Sequence, residues 1–175
     1  MTDKEFLANI ELIKEKDKAG LKNIYVEYVS LIYHTVLNVV KQKEDAEDIT
    51  SAFFVKFPSI CDKYHSGHGH RTWIITIARN LAIDYIRSNK REIPSEDTLL
   101  EQTTAPDSPE EKVVSATTFK ELIHLLNPKE QEVLTLKIMG ELTFKEIAAM
   151  LNEPMGTITW RYNEAIKKLR RNYNE

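Results

Sequence analysis

Apolar residues recur along most of this chain at intervals of three and four, the spacing that gathers them on one face of an α-helix. Phe6, Ile10 and Ile13 form the first such stripe, and Thr2 and Glu5 ahead of it have capping-box spacing. Leu21, Ile24, Tyr25, Tyr28, Ile32, Thr35, Val36 and Val39 predict the inner face of a long second helix. A third is predicted from about Glu44 to Ile60, with Ile49, Phe53, Phe57 and Ile60 inward. Beyond "CDKYHSGHGH", Trp73, Ile74, Ile77, Ala78, Leu81 and Tyr85 mark a fourth. No alternating strand pattern of useful length interrupts them, and no internal repeat is visible.

The C-terminal third is punctuated by caps. Ser108, Pro109 and Glu111 predict one helix start, and Asn127, Pro128 and Glu130 predict another. Gly140 stands where a helix C-terminus needs a stop. Thr143 and Glu146 then open a short helix with Ile147, Ala148 and Leu151 along one face. After the break "NEPMG", a last helix turns Ile158, Tyr162, Ala165, Ile166 and Leu169 inward. A short helix, a tight turn and a longer basic helix make a helix-turn-helix.

Charge changes the picture by dividing the chain. Arg71, Arg79, Arg87, Lys90 and Arg91 face only Asp84 within their stretch. The following "EIPSEDTLLEQTTAPDSPEE" is acidic and proline-rich, with no cation and no helical period. Such a stretch cannot bury enough apolar surface to offset chain entropy, so it reads as a flexible linker. The expected architecture is all-α: a small helical domain over residues 1–91, an acidic linker over 92–108, and a second small domain over 109–175 carrying the helix-turn-helix. Fully extended at about 3.3–3.6 Å per residue, that linker spans roughly 55–60 Å. This exceeds one turn of duplex, about 34–36 Å, so the two domains could sit on separated DNA elements.

Composition narrows the function classes. A chain of 175 residues with 42% hydrophobic and 29% charged residues suits a soluble helical protein. Its net charge of −3 is a sum in which basic helices and an acidic linker cancel, so it does not argue against a nucleic-acid partner. Cys61 is the lone cysteine, which forbids an intrachain disulfide and fits a reducing compartment. The opening "MTDKEFLANIELIKEKDK" holds no apolar run fit for a signal peptide or membrane span, so the expected location is the cytoplasm without membrane insertion. No Ser-His-Asp, Cys-His or paired-carboxylate arrangement points to an enzyme. His65, His68 and His70 match no zinc spacing, and no metal or other cofactor is expected.

In the last helix, Thr157, Thr159, Trp160, Arg161 and Glu164 are expected to face away from the apolar stripe, toward base edges or phosphates. Any amphipathic helix has a charged, solvated back. DNA is favoured here by the conjunction of a capped preceding helix, a short turn and the terminal cations Lys167, Lys168, Arg170 and Arg171.

These residues carry a family resemblance. "LNPKEQEVLTLKIMGELTFKEIAAMLNEPMGTITWRYNEAIKKLRR" resembles region 4, the promoter −35 binding domain of bacterial extracytoplasmic-function sigma factors. "DAEDITSAFFVKF" resembles their region 2.2, and "RTWIITIARNLAIDYIRSNKR" their regions 2.3 and 2.4. The resemblance implies a non-enzymatic subunit that joins the RNA polymerase core and directs it to promoters, with an anti-sigma factor as a further partner. It implies polymerase binding by Asp45, Glu47, Asp48, Ile49, Ser51 and Ala52, although the family usually has glutamine where Ser51 stands. It implies −10 element contacts by Tyr64, Arg71, Arg79, Asn80, Asp84, Arg87 and Arg91. The −35 contacts fall on Thr157, Thr159, Trp160, Arg161, Glu164 and Lys168, among which Thr159, Trp160 and Glu164 replace small or basic residues. A helix-turn-helix repressor or activator that is no polymerase subunit is the alternative. It accounts for the last helix but leaves the basic stripe from Arg79 to Arg91 and the linker unexplained.

Overall fold

The computed structural model describes residues 1–67, 69–92 and 125–173, without the side chains of 90–92 and 172–173. The predicted helix start at Ser108–Glu111 and the linker beyond Glu92 lie outside the described residues. Among the described residues the chain is all-α. It forms α1 (Asp3–Lys14), α2 (Lys18–Val40), α3 (Lys43–Ile60), α4 (His70–Glu92), α5 (Pro128–Ile138), α6 (Phe144–Leu151) and α7 (Met155–Tyr173), with a short 3-10 turn at Cys61–Lys63. No helix among them is long and apolar enough to cross a membrane.

Local chemistry sets the starts. Thr2 and Glu5, Asn127 and Glu130, and Thr143 and Glu146 each form a complete capping box, satisfying otherwise orphaned N–H groups of α1, α5 and α6. Asp17 caps α2 by accepting from the Ala19 N–H at 2.8 Å. The helix α3 has no side-chain cap, and Glu44 and Asp45 in its first turn complement the dipole instead.

The four N-terminal helices close around an aromatic centre. Phe6 of α1 is fully buried, with the rings of Tyr28, Phe57, Tyr64 and Trp73 edge-on to it and His70 stacked on it at 4.9 Å. Gly20 lets α1 and α2 approach: an added Cβ would lie 2.6 Å from the Asn9 carbonyl oxygen and 2.9 Å from Leu12 Cβ. Because one of those atoms is backbone, Gly20→Ala should cost about 1 kcal/mol or more, read as a lowered urea midpoint. Tyr25 departs from its predicted inward position and is about half exposed, lying over Phe54. Its neighbour Ile24 is fully buried, as predicted.

Leu126, Leu134 of α5 and Ala165 of α7 pack together, while Ile147 and Ile158 are buried in a core continuous with that of the N-terminal helices. Asn152 ends α6 in the left-handed region at φ 53°, and α7 starts at Met155, giving the tight turn of a helix-turn-helix. The two bundles touch. Asn38 of α2 donates to Thr135 of α5 at 3.1 Å, and Arg79 of α4 pairs with Glu132 of α5 at 3.3 Å. Arg71 pairs with Glu141 at 3.3 Å, and the Thr72 hydroxyl donates to Glu146 at 3.2 Å. Gly140 follows the α5 C-cap as expected of a stop, but the left-handed residue is Glu141, at φ 56°. Space is what Gly140 supplies: an added Cβ would meet the Leu136 carbonyl oxygen at 2.5 Å and Ile75 of α4 at 2.9 Å.

Candidate functional site

The helix-turn-helix presents a mixed face. On α7, Met155 is 55% and Trp160 is 63% exposed, while Thr157, Thr159 and Glu164 are half-buried. Lys167, Arg170 and Arg171 are exposed further along the same helix. Two expected DNA contacts are turned elsewhere. Arg161 is 8% exposed and donates to Glu153 at 2.7 Å, holding that carboxyl below its usual range. The physical reason is register: Arg161 follows Ile158 by three residues and precedes Ala165 by four, so it belongs to the inner stripe. Lys168 reaches back to the buried Glu130 at 2.7 and 2.9 Å, tying the α5 capping box to α7. Glu164 is held below the usual carboxylate range by Lys167, which donates to it at 2.7 Å.

On α4 the exposed stripe consists of Asn80, Asp84 and Arg87 at i, i+4 and i+7. Arg87 lies 3.8 Å from Asp84, a surface pair of little energy. Arg91 is on the same helix, its side chain outside the described residues. The other expected −10 residues are engaged within the protein. Arg79 is held by Glu132, and Arg71 by Glu27, Glu141 and the Met139 carbonyl, with its guanidinium 5.6 Å from the Tyr28 ring centroid. Tyr64 is a core residue rather than an exposed platform: it is 5% exposed, packs on Phe6 and Trp73, and donates to Asp3 at 3.3 Å.

The loop histidines do not converge. His65 is exposed, His70 is buried against Phe6 with Nδ1 on the Asp3 carboxylate, and His68 lies outside the described residues. That hydrogen bond from His70 is the main reason the Asp3 carboxyl sits below its ordinary range. Among the described residues no group of His, Cys, Asp and Glu could hold a metal ion.

On α3, Glu47, Asp48, Ser51 and Ala52 are exposed. Ile49 is 6% exposed and faces the core, so it supports this surface from beneath. Asp45 accepts from the Tyr85 hydroxyl at 2.6 Å, which raises the phenol's pKa and fastens α4 to the start of α3. Sequence reasoning missed Val55, which is 84% exposed and extends Asp48, Ser51 and Ala52 by the helical interval. Its signal was an apolar residue out of phase with Ile49, Phe53 and Phe57.

Comparison with known proteins places the chain in a family. Residues 24–92 match the family model for sigma-70 region 2, and residues 122–171 match that for sigma-70 region 4. The ECF RNA polymerase sigma factor SigW of Bacillus subtilis is 30% identical over 174 residues, covering 93% of each chain. BldN of Streptomyces coelicolor, also an ECF RNA polymerase sigma factor, is 28% identical over 97% of this chain and 67% of its own. In fold, the chain is similar to the sigma factor RpoE of Bartonella quintana, solved with the anti-sigma factor NepR: the TM-score is 0.62 at 20% identity, over 86% of this chain and 94% of that one. With both regions present in order, the chain belongs to the ECF RNA polymerase sigma factors of the sigma-70 family.

Proposed function

We infer that this chain joins the RNA polymerase core and directs it to promoters, with residues 1–91 serving the core and the −10 element and residues 109–175 the −35 element. The carrying observation is that region 2 and region 4 matches in one chain coincide with separate exposed faces of different chemistry. Glu47, Asp48, Ser51, Ala52 and Val55 offer an acidic and apolar surface suited to a protein partner, since carboxylates repel duplex phosphates. Asn80, Asp84, Arg87 and Arg91 form the −10 face. Thr157, Thr159, Trp160 and Glu164 form the −35 face, with Lys167, Arg170 and Arg171 toward phosphates. Arg161 and Lys168 act indirectly, by fixing α7 in place. The protein works in the cytoplasm, and the RpoE–NepR complex of similar fold supports an anti-sigma factor as its regulator.

Asp48→Lys tests this reading against a plain DNA-binding regulator. Asp48 lies past the first turn of α3, where capping no longer accounts for a carboxylate. The change should spare the circular dichroism spectrum and weaken association with core polymerase by about tenfold, or 1.4 kcal/mol. Core affinity equal to the parent's, with the fold intact, would count against a sigma factor acting through this helix.

A further inference from the structure

The leading turns of α7 have an unusual chemistry for a helix that meets DNA. Met155 and Trp160 are the exposed large apolar side chains of this helix, 55% and 63%. The Thr159 hydroxyl donates back to the Met155 carbonyl at 2.9 Å, so its proton is already engaged within the helix and cannot go to a phosphate. Gly156 has open space around it, which leaves room for close approach of the backbone. The one cation of these turns, Arg161, is buried on Glu153. With Arg161 withdrawn, no guanidinium is available there for the bidentate pairing that reads guanine.

Charge still fits a duplex. Lys145 is exposed on α6, and Lys167, Arg170 and Arg171 are exposed further along α7, while the local carboxylates Glu153 and Glu164 are each occupied by a cation. An exposed indole on a helix whose later turns carry cations suits a groove whose walls are phosphate and whose floor carries an apolar group. In the major groove that group is the 5-methyl of thymine.

We propose that Trp160 reads thymine 5-methyl groups in the −35 element, making apolar contact the specificity determinant of this chain. The proposal rests on the −35 role assigned above. It sets the preferred base by a methyl group that uracil lacks, while leaving every hydrogen-bonding edge of the base pair unchanged.

The test uses holoenzyme reconstituted from full-length chain and core polymerase. Two duplex pools, randomised over the −35 segment, are amplified with thymidine or with deoxyuridine triphosphate and selected for binding. The thymine pool should enrich thymine at one or two positions that the uracil pool does not enrich. The selected duplex should bind roughly 3–10-fold better with thymine than with uracil there. Trp160→Ala, at an exposed site and checked by circular dichroism, should abolish that difference, bringing the thymine and uracil duplexes to equal affinity. Equal enrichment and equal affinity in both pools would overturn the thymine reading while preserving the −35 role. So would a Trp160→Ala loss that is the same for both duplexes. Absence of any −35 enrichment in either pool would overturn the −35 role and this inference with it.

Discussion

Phe6→Ala should lower the free energy of unfolding by about 3–5 kcal/mol, a large share of the 5–15 kcal/mol that holds a typical domain. Phe6 is fully buried, and its ring meets Tyr28, Phe57, Tyr64, His70 and Trp73, with centroid distances between 4.9 and 6.4 Å. Alanine would leave a void ringed by stiff aromatic side chains, which cannot collapse to fill it. The residue lies on α1, ahead of the stretch that matches region 2, yet it supports the loop between α3 and α4 through Tyr64 and His70. Urea unfolding of the full chain should show a lower midpoint with little change in slope. Phe6→Leu should recover much of the loss. A shift below about 1 kcal/mol for Phe6→Ala would show that α1 is dispensable to the core.

Arg161→Ala should cost about 1.5–3 kcal/mol of stability and leave promoter preference unchanged. The side chain is 9% exposed and its partner Glu153, in the turn before α7, is 27% exposed. Losing the guanidinium leaves that carboxylate without its cation and frees the turn between α6 and α7. Lysine would not restore the pair fully, because a point charge on a flexible stem lacks the fixed fork of arginine. Measurement should be made well below the variant's unfolding midpoint, so that loss of fold is not read as loss of specificity. An altered base preference at unchanged stability would return Arg161 to the DNA face.

The contrast between Arg161 and Trp160 shows where sequence reading succeeds and where it stops. Helix starts were legible because their causes are local: Thr2 with Glu5, Asn127 with Glu130, and Thr143 with Glu146 each act within four residues. The inward stripe of α7 was legible from Ile158, Ala165 and Leu169, and Arg161 shares its period. Its basic side chain suggests an outward position, but the register and the Glu153 carboxylate hold it inward. Arg71 and Arg79 are a different matter. Their partners Glu141 and Glu132 lie more than fifty positions away, and no local pattern announces such a pairing. Tyr64, a −10 contact by resemblance, is buried instead. Its burial depends on Phe6 arriving from the other end of the domain. Val55 needed only one more turn of the helical count.

The contact between the two bundles makes each one a tethered competitor for the other's partners. A ligand that needs the α4 face, or the α5 face, bare must wait for molecules already parted, so its apparent affinity is scaled by that fraction. Every 1.4 kcal/mol of adhesion weakens it tenfold, and dilution brings no relief because the competitor is covalently attached. The adhesion has two parts with different responses. Arg79–Glu132 and Arg71–Glu141 are partly solvated and weaken as salt screens them. The fit of Gly140 over Ile75 is apolar and steric, and salt leaves it in place. Ionic strength therefore pulls two ways on promoter binding, loosening the grip on phosphates while releasing the protein's hold on itself.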